Sequence, residues 1–124
     1  MSARTILHVE DNELNRKMLR HLLRGTTYRL IEAPDGEAGV TIAREQRPDL
    51  ILMDVQLPKI SGIEATRALR ADPSTAATPI IAITSFALSG DEQRAGEAGA
   101  SAYLAKPYSP FALLDMIRKL APEG

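Results

Sequence analysis

Short apolar runs rich in β-branched residues alternate along the chain with stretches whose apolar residues recur every three or four positions. Each run reads as a strand and each longer stretch as a helix, and no linker-like or low-complexity segment interrupts the succession. The first strand is expected over Thr5 to Val9, ending on Glu10 and Asp11. A helix then starts near Asn12, with Leu14, Met18, Leu19, Leu22 and Leu23 expected on one apolar face and Gly25 at its C-terminal stop. A second strand over Tyr28 to Ala33 leads through Pro34-Asp35-Gly36 into a helix ending before Pro48. Leu50 to Met53 is wholly apolar, as a strand covered on both faces must be, and Asp54 stands at its C-terminal end.

The third helix is expected from about Gly62 to Arg70, and Asp72-Pro73-Ser74 makes the turn before the strand Ile80 to Ile83, which closes on Thr84. The fourth helix lies between Ser89 and Ala98, with Gly99 beyond it. The last strand, Ala102 to Ala105, closes on Lys106-Pro107. Ser109 then serves as N-cap, with Pro110 in the first turn of a helix reaching Leu120. Five βα units with right-handed crossovers form an α/β fold: a five-stranded parallel sheet with helices on both faces, for which the flavodoxin-like order 2-1-3-4-5 fits best. In such sheets ligands bind beyond the carboxyl ends of the strands, where strand order reverses. Glu10, Asp11, Asp54, Thr84 and Lys106 all fall on that rim.

Composition narrows the function classes. The 124 residues, 44% hydrophobic and 25% charged, suit one domain spanning residues 1–124 with no output domain after Leu120. A formal charge of -1 gives no field for nucleic acid, an anionic membrane or an acidic substrate. With no cysteine, disulfides, thiolate catalysis and sulfur-ligated metals are excluded. No apolar run approaches the roughly 20 residues of a bilayer span, and Met1 to Arg4 leads straight into a strand, so a soluble, cytoplasmic protein without membrane insertion is expected.

Three carboxylates gathered on one rim repel one another unless a cation or proton is supplied, and a hard divalent cation such as Mg²⁺ is the natural answer. Positions left open on that ion can accept a phosphoryl oxygen, while Lys106 and the Thr84 hydroxyl can stabilise charge on the outer oxygens. Attack by a carboxylate then yields an aspartyl phosphate.

The residues Ile6-Leu-His-Val-Glu-Asp-Asn12, Pro48-Asp-Leu-Ile-Leu-Met-Asp54 with Pro58 and Gly62 after it, Ile83-Thr84-Ser85 and Tyr103-Leu-Ala-Lys106-Pro107 together resemble the receiver domain of two-component response regulators. The resemblance covers essentially the whole chain. Through Val9-Glu-Asp-Asn-Glu-Leu-Asn15, Asp54-Val-Gln-Leu-Pro58 and Gly90-Asp-Glu92 it is greatest to stand-alone DivK-type regulators of bacterial cell division. It implies that Asp54 is the phosphoacceptor in a phosphorelay, and that Asp11, Asp54 and the backbone carbonyl of Gln56 ligate Mg²⁺, with Glu10 acting mainly through metal-bound water. It also implies that Thr84 and Lys106 hold the phosphoryl group, that Tyr103 changes rotamer as Thr84 moves inward, and that Lys106-Pro107 is a cis peptide. Glu10 stands where the family more often has aspartate. The implied partners are a sensor histidine kinase or histidine phosphotransfer protein as donor, and a downstream protein that reads the helix four, strand five and helix five face. Gln56 and Phe86 flank the expected path of hydrolytic water.

Taken singly, each of these residues has a local explanation as a helix cap, a good β-former or a loop residue; their joint placement at strand ends is what carries the reading. A haloacid-dehalogenase-like phosphohydrolase would need a second acid two residues after the nucleophile, where this chain has Gln56. A flavin module would need a Ser/Thr/Gly-rich loop in place of Glu10-Asp11-Asn12. A receiver cut from a longer regulator or hybrid kinase, and a module that keeps the pocket without being phosphorylated in vivo, are both compatible with the sequence. His8 and His21 have no ligand spacing and read as packing or surface residues. Arg16, Lys17, Arg20 and Arg24 read either as a solvated helix face or as a docking face for the donor, and without interleaved aromatics they make a poor nucleic-acid site.

Overall fold

Burial of the central apolar strands from both sides organises the molecule. The computed structural model describes residues 3–85 and 90–123, so the expectations at Phe86 and Ser89 lie outside the described residues. The elements are β1 (Thr5–Val9), α1 (Glu13–Leu23), β2 (Arg29–Ala33), α2 (Gly36–Gln46), β3 (Leu50–Asp54), α3 (Gly62–Ala71), β4 (Ile80–Thr84), α4 (Asp91–Ala98), β5 (Ala102–Ala105) and α5 (Pro110–Leu120). All strand pairs are parallel, in the order β2-β1-β3-β4-β5. The expected order is therefore the observed one, and the two strand ends that carry Glu10 and Asp54 are neighbours.

Successive side chains of a strand point to opposite faces, and the core divides accordingly. Ile6, Leu50, Leu52, Ile81 and Ile83 pack against Leu19 and Leu23 of α1 and Leu113 and Ile117 of α5. Leu7, Val9, Ile51, Met53 and Ile80 face Val40 and Ala43 of α2 and Ala65 and Leu69 of α3. Val55, Ile63 and Ala82 meet Ala95 and Ala98 of α4. The small residues of α4 let it lie close to the sheet.

Local chemistry fixes the helix starts. Asn12, Asp35, Ser61 and Ser109 each cap a helix by accepting a backbone N–H through the side chain, and Ser61 forms a reciprocal capping box with Glu64. Gly62 is set by space rather than by conformation. A Cβ there would lie 2.0 Å from the carbonyl oxygen of Asp54, so only glycine lets α3 begin against the end of β3.

One expectation on α1 is corrected. Leu19 and Leu23 are buried, but Leu14 and Met18 are 66% and 57% exposed. The apolar arc of α1 is wider than the strip that the sheet and α5 cover, so the stripe beginning at Leu14 is left facing solvent.

Candidate functional site

Alternation places Glu10 on the same sheet face as Ile6 and His8, and Asp54 on the face of Leu50 and Leu52. The register pairs Val9 with Met53, so the two carboxyl groups emerge side by side at the carboxyl end of the sheet. Asp11 follows one residue later, exposed at the mouth, while Glu10 and Asp54 are buried at 2% and 5% exposure. One carboxylate oxygen from each of the three lies within 4.8 Å of the others.

Lys106 supplies the nearby positive charge. Its Nζ stands 3.2 Å from Glu10 Oε1 and 3.9 Å from Asp54 Oδ2. The preceding backbone holds it there: Lys106 N–H donates to the Thr84 carbonyl at 2.7 Å, and the Lys106–Pro107 peptide is cis, as the resemblance implied. Asn12 N–H donates to Glu10 Oε2 (3.3 Å) and Gln56 N–H to Asp54 Oδ1 (3.2 Å).

The two buried carboxyls do not ionise alike. Burial pushes Asp54 up to about 8, and the adjacent Glu10 carboxylate adds to the rise. For Glu10, burial acts upward but is outweighed by the hydrogen bond with Asp54, the Lys106 charge and the Asn12 N–H, and the net shift is downward. In the ion-free protein the pair thus holds one proton on Asp54, with Glu10 as the anion facing Lys106. Beneath them His8 is buried and lowered to about 4, chiefly by desolvation, so it is neutral near pH 7.

On the opposite side of Asp54 lies a network that sequence reasoning missed. Gln56 Nε2 donates to Thr84 Oγ1 (2.8 Å) and to Asp91 Oδ2 (3.0 Å), while its Oε1 accepts from Ser85 N–H (3.0 Å). Thr84 Oγ1 donates to Asp91 Oδ2 at 3.0 Å. Asp91, the first residue of α4, is 4% exposed and also pairs with Arg94. The signal available in the sequence was Gly90-Asp-Glu92 directly before the α4 pattern, which by itself reads only as a helix start.

Tyr103 sits on β5 with its hydroxyl buried in the Val55, Ala82 and Ala95 cluster. That hydroxyl lies beside Thr84 but outside hydrogen-bonding geometry with any described residue. Arg16 and Arg20 are not a loose cationic face. Arg16 donates to the Glu10 carbonyl (2.7 Å) and pairs with Glu13, and Arg20 bridges Glu13 and Glu32. The exposed part of α1 forms instead a groove of about 470 Å³ lined by Leu14, Lys17, Met18, His21, Leu22 and Pro110.

The arrangement sets a buried carboxyl beside a lysine and gathers an acidic cluster whose hard oxygen donors suit a divalent cation. Among the described residues no helix is long and apolar enough to cross a membrane.

Comparison with known proteins agrees with this geometry. The family model for the response regulator receiver domain matches residues 6–118. The polar-differentiation response regulator DivK of Brucella anthropi is 44% identical over 115 residues, covering 93% of this chain and 94% of the relative. Its counterpart in Brucella ovis is 43% identical over 116 residues, covering 94% of each. Among solved structures, the receiver domain of a sensor histidine kinase from Pseudomonas aeruginosa PAO1, with a magnesium ion coordinated in its active site cleft, is 39% identical. It superposes with a TM-score of 0.88 over 96% of this chain and 98% of that one. A chemotaxis response regulator of Vibrio cholerae gives a TM-score of 0.88 at 29% identity, over 96% and 99% of the two chains.

Proposed function

Because this chain belongs to the response regulator receiver domain family, whose members are phosphorylation-controlled signalling switches of two-component systems, we propose that Asp54 is its phosphoacceptor. The observation that carries the assignment is the convergence of Glu10, Asp11 and Asp54 within 4.8 Å, with Lys106 Nζ 3.9 Å from Asp54. An oxygen of Asp54 attacks the phosphorus of a phosphohistidine on a kinase or phosphotransfer protein. The new O–P bond forms as the N–P bond breaks, and the imidazole nitrogen leaves with the electron pair.

Asp54 must give up its proton before it can attack, and Lys106 is poised to compensate the resulting charge. The carboxyl groups of Glu10, Asp11 and Asp54 and the backbone carbonyl of Gln56 are the groups that would hold Mg²⁺, Glu10 through water. Bound there, the cation offsets carboxylate repulsion and withdraws charge from the phosphoryl oxygens. Thr84 donates its hydroxyl to one outer oxygen and Lys106 pairs with another, which draws the end of β4 inward and brings Tyr103 with it. Water attack on the aspartyl phosphate resets the switch, with Gln56 beside its path.

The exposed Leu14 and Met18, with Pro110 and the 78% exposed Phe111 next to it, support α1 as the surface on which the donor sits. Lys17 gives the edge of the groove a positive charge for acidic residues of the donor. Output passes through a protein that reads the α4, β5 and α5 face. Incubation with Mg²⁺ and a donor radiolabelled on its phosphohistidine tests the reading: label should pass to this chain and fail to pass to Asp54→Asn. Equal labelling of the variant would end it.

A further inference from the structure

A hydroxyl carries one proton, and of the two described acceptors within reach of the Thr84 hydroxyl, Asp91 Oδ2 at 3.0 Å and Gln56 Oε1 at 3.1 Å, the carboxylate is the stronger. That carboxylate is buried. The same Asp91 oxygen accepts from the Gln56 amide, and the other proton of that amide goes to Thr84. Three segments are thereby tied together at one point: the loop after β3, the end of β4 and the first turn of α4. A bond between two buried groups cannot be lost without a new partner for each of them. Thr84 gains one when a phosphoryl oxygen arrives on Asp54, whereas Asp91 then loses its link to the end of β4 and keeps its pairing with Arg94 within α4.

We propose that Asp91 is a positioning residue that holds the Thr84 hydroxyl and the Gln56 amide away from Asp54, so that phosphorylation breaks this tie and releases the first turn of α4. This rests on the reading that Asp54 is phosphorylated and that Thr84 contacts the phosphoryl group. It adds a route from the phosphoryl site to the α4 surface through a carboxylate, beside the route through Tyr103. It also makes Asp91 a brake on activation, because the phosphoryl group has to compete with a charged acceptor for the Thr84 proton.

The test uses beryllofluoride with Mg²⁺ as a phosphoryl mimic on the full chain. Asp91→Ala should bind the mimic about tenfold more tightly than wild type, the factor set by one net hydrogen bond to a charged group. Its Asp91–Arg94 amides should exchange hydrogen in the unbound protein as fast as those of the mimic-bound wild type. Asp91→Asn keeps an acceptor oxygen and should fall between the two, and it serves if the alanine variant folds poorly. In a Thr84→Val background, which removes the hydroxyl and keeps the shape, Asp91→Ala should no longer change the affinity. Wild-type or weaker affinity in both Asp91 variants, or an equal gain with and without the Thr84 hydroxyl, would overturn the proposal. Failure of the wild type itself to bind the mimic would instead remove the phosphorylation reading beneath it.

Discussion

Replacing Asp54 by asparagine should stabilise the protein, increasingly so as the pH rises from 4 to 8. In the ion-free fold Asp54 keeps its proton to about pH 8, because it is buried against the Glu10 carboxylate, whereas in the unfolded chain the proton leaves near 3.8. Between those values the native state binds one proton more than the unfolded state, so the stability of the wild type falls as the pH rises through this window and levels off above 8. At about 1.4 kcal/mol per unit, the interval from 3.8 to neutrality bounds the cost at about 4 kcal/mol at pH 7. The downward shift of Glu10, held by Asp54, Lys106 and Asn12, offsets part of it. Asparagine has the same shape and no charge to desolvate. Urea unfolding of both proteins in EDTA, from pH 4 to 9, gives the difference directly, since titrating groups outside the Glu10 and Asp54 pair cancel. The two curves should meet near pH 4, diverge toward pH 8 and then run parallel. A constant difference from pH 4 to 8 would refute the shared-proton description.

Three further outcomes follow from the packing. Gly62→Ala places a methyl group 2.0 Å from the Asp54 carbonyl oxygen and should cost about 1 to 3 kcal/mol in denaturant unfolding, with weakened Mg²⁺ binding because Asp54 itself is displaced. Tyr103→Phe removes a buried hydroxyl that has no described partner and should raise stability by about 1 kcal/mol in thermal unfolding. Replacing both Leu14 and Met18 by aspartate should change stability by about 0.5 kcal/mol or less per site. It should nevertheless slow phosphotransfer from a protein donor at least tenfold, while labelling by acetyl phosphate stays at the wild-type rate.

Much of the fold could be read from the chain because it rests on short-range patterns. The wholly apolar Leu50 to Met53 run could only be a strand covered on both faces, and the alternation of five such runs with helical stretches left few topologies. The placement of Glu10, Asp11, Asp54, Thr84 and Lys106 at the carboxyl end of the sheet was legible for the same reason: a polar residue that ends an apolar parallel strand lies on that rim. Less accessible were features that depend on how wide a neighbour is. The apolar stripes of α1 look alike in sequence, and only the packed sheet decides that Leu19 and Leu23 are covered while Leu14 and Met18 are not. Arg16 and Arg20 read as surface charges until the fold brings the Glu10 carbonyl and Glu32 within reach. Asp91 lies 35 residues from Gln56 in a helix with no pattern linking the two, and its contact with Thr84 depends on the approach of α4 to the end of β4.

The central claim is that Asp54 carries the phosphoryl group in a reaction that needs the acidic cluster. Intact-mass measurement after incubation with acetyl phosphate and Mg²⁺, followed by fragmentation to locate the modified residue, tests it most directly. One acid-stable, base-labile phosphoryl group should appear on Asp54 and be absent when EDTA replaces Mg²⁺ or when Asp54 is asparagine. A phosphoryl group located on any other residue, or labelling of the same extent in the Asp54→Asn variant, would contradict the account.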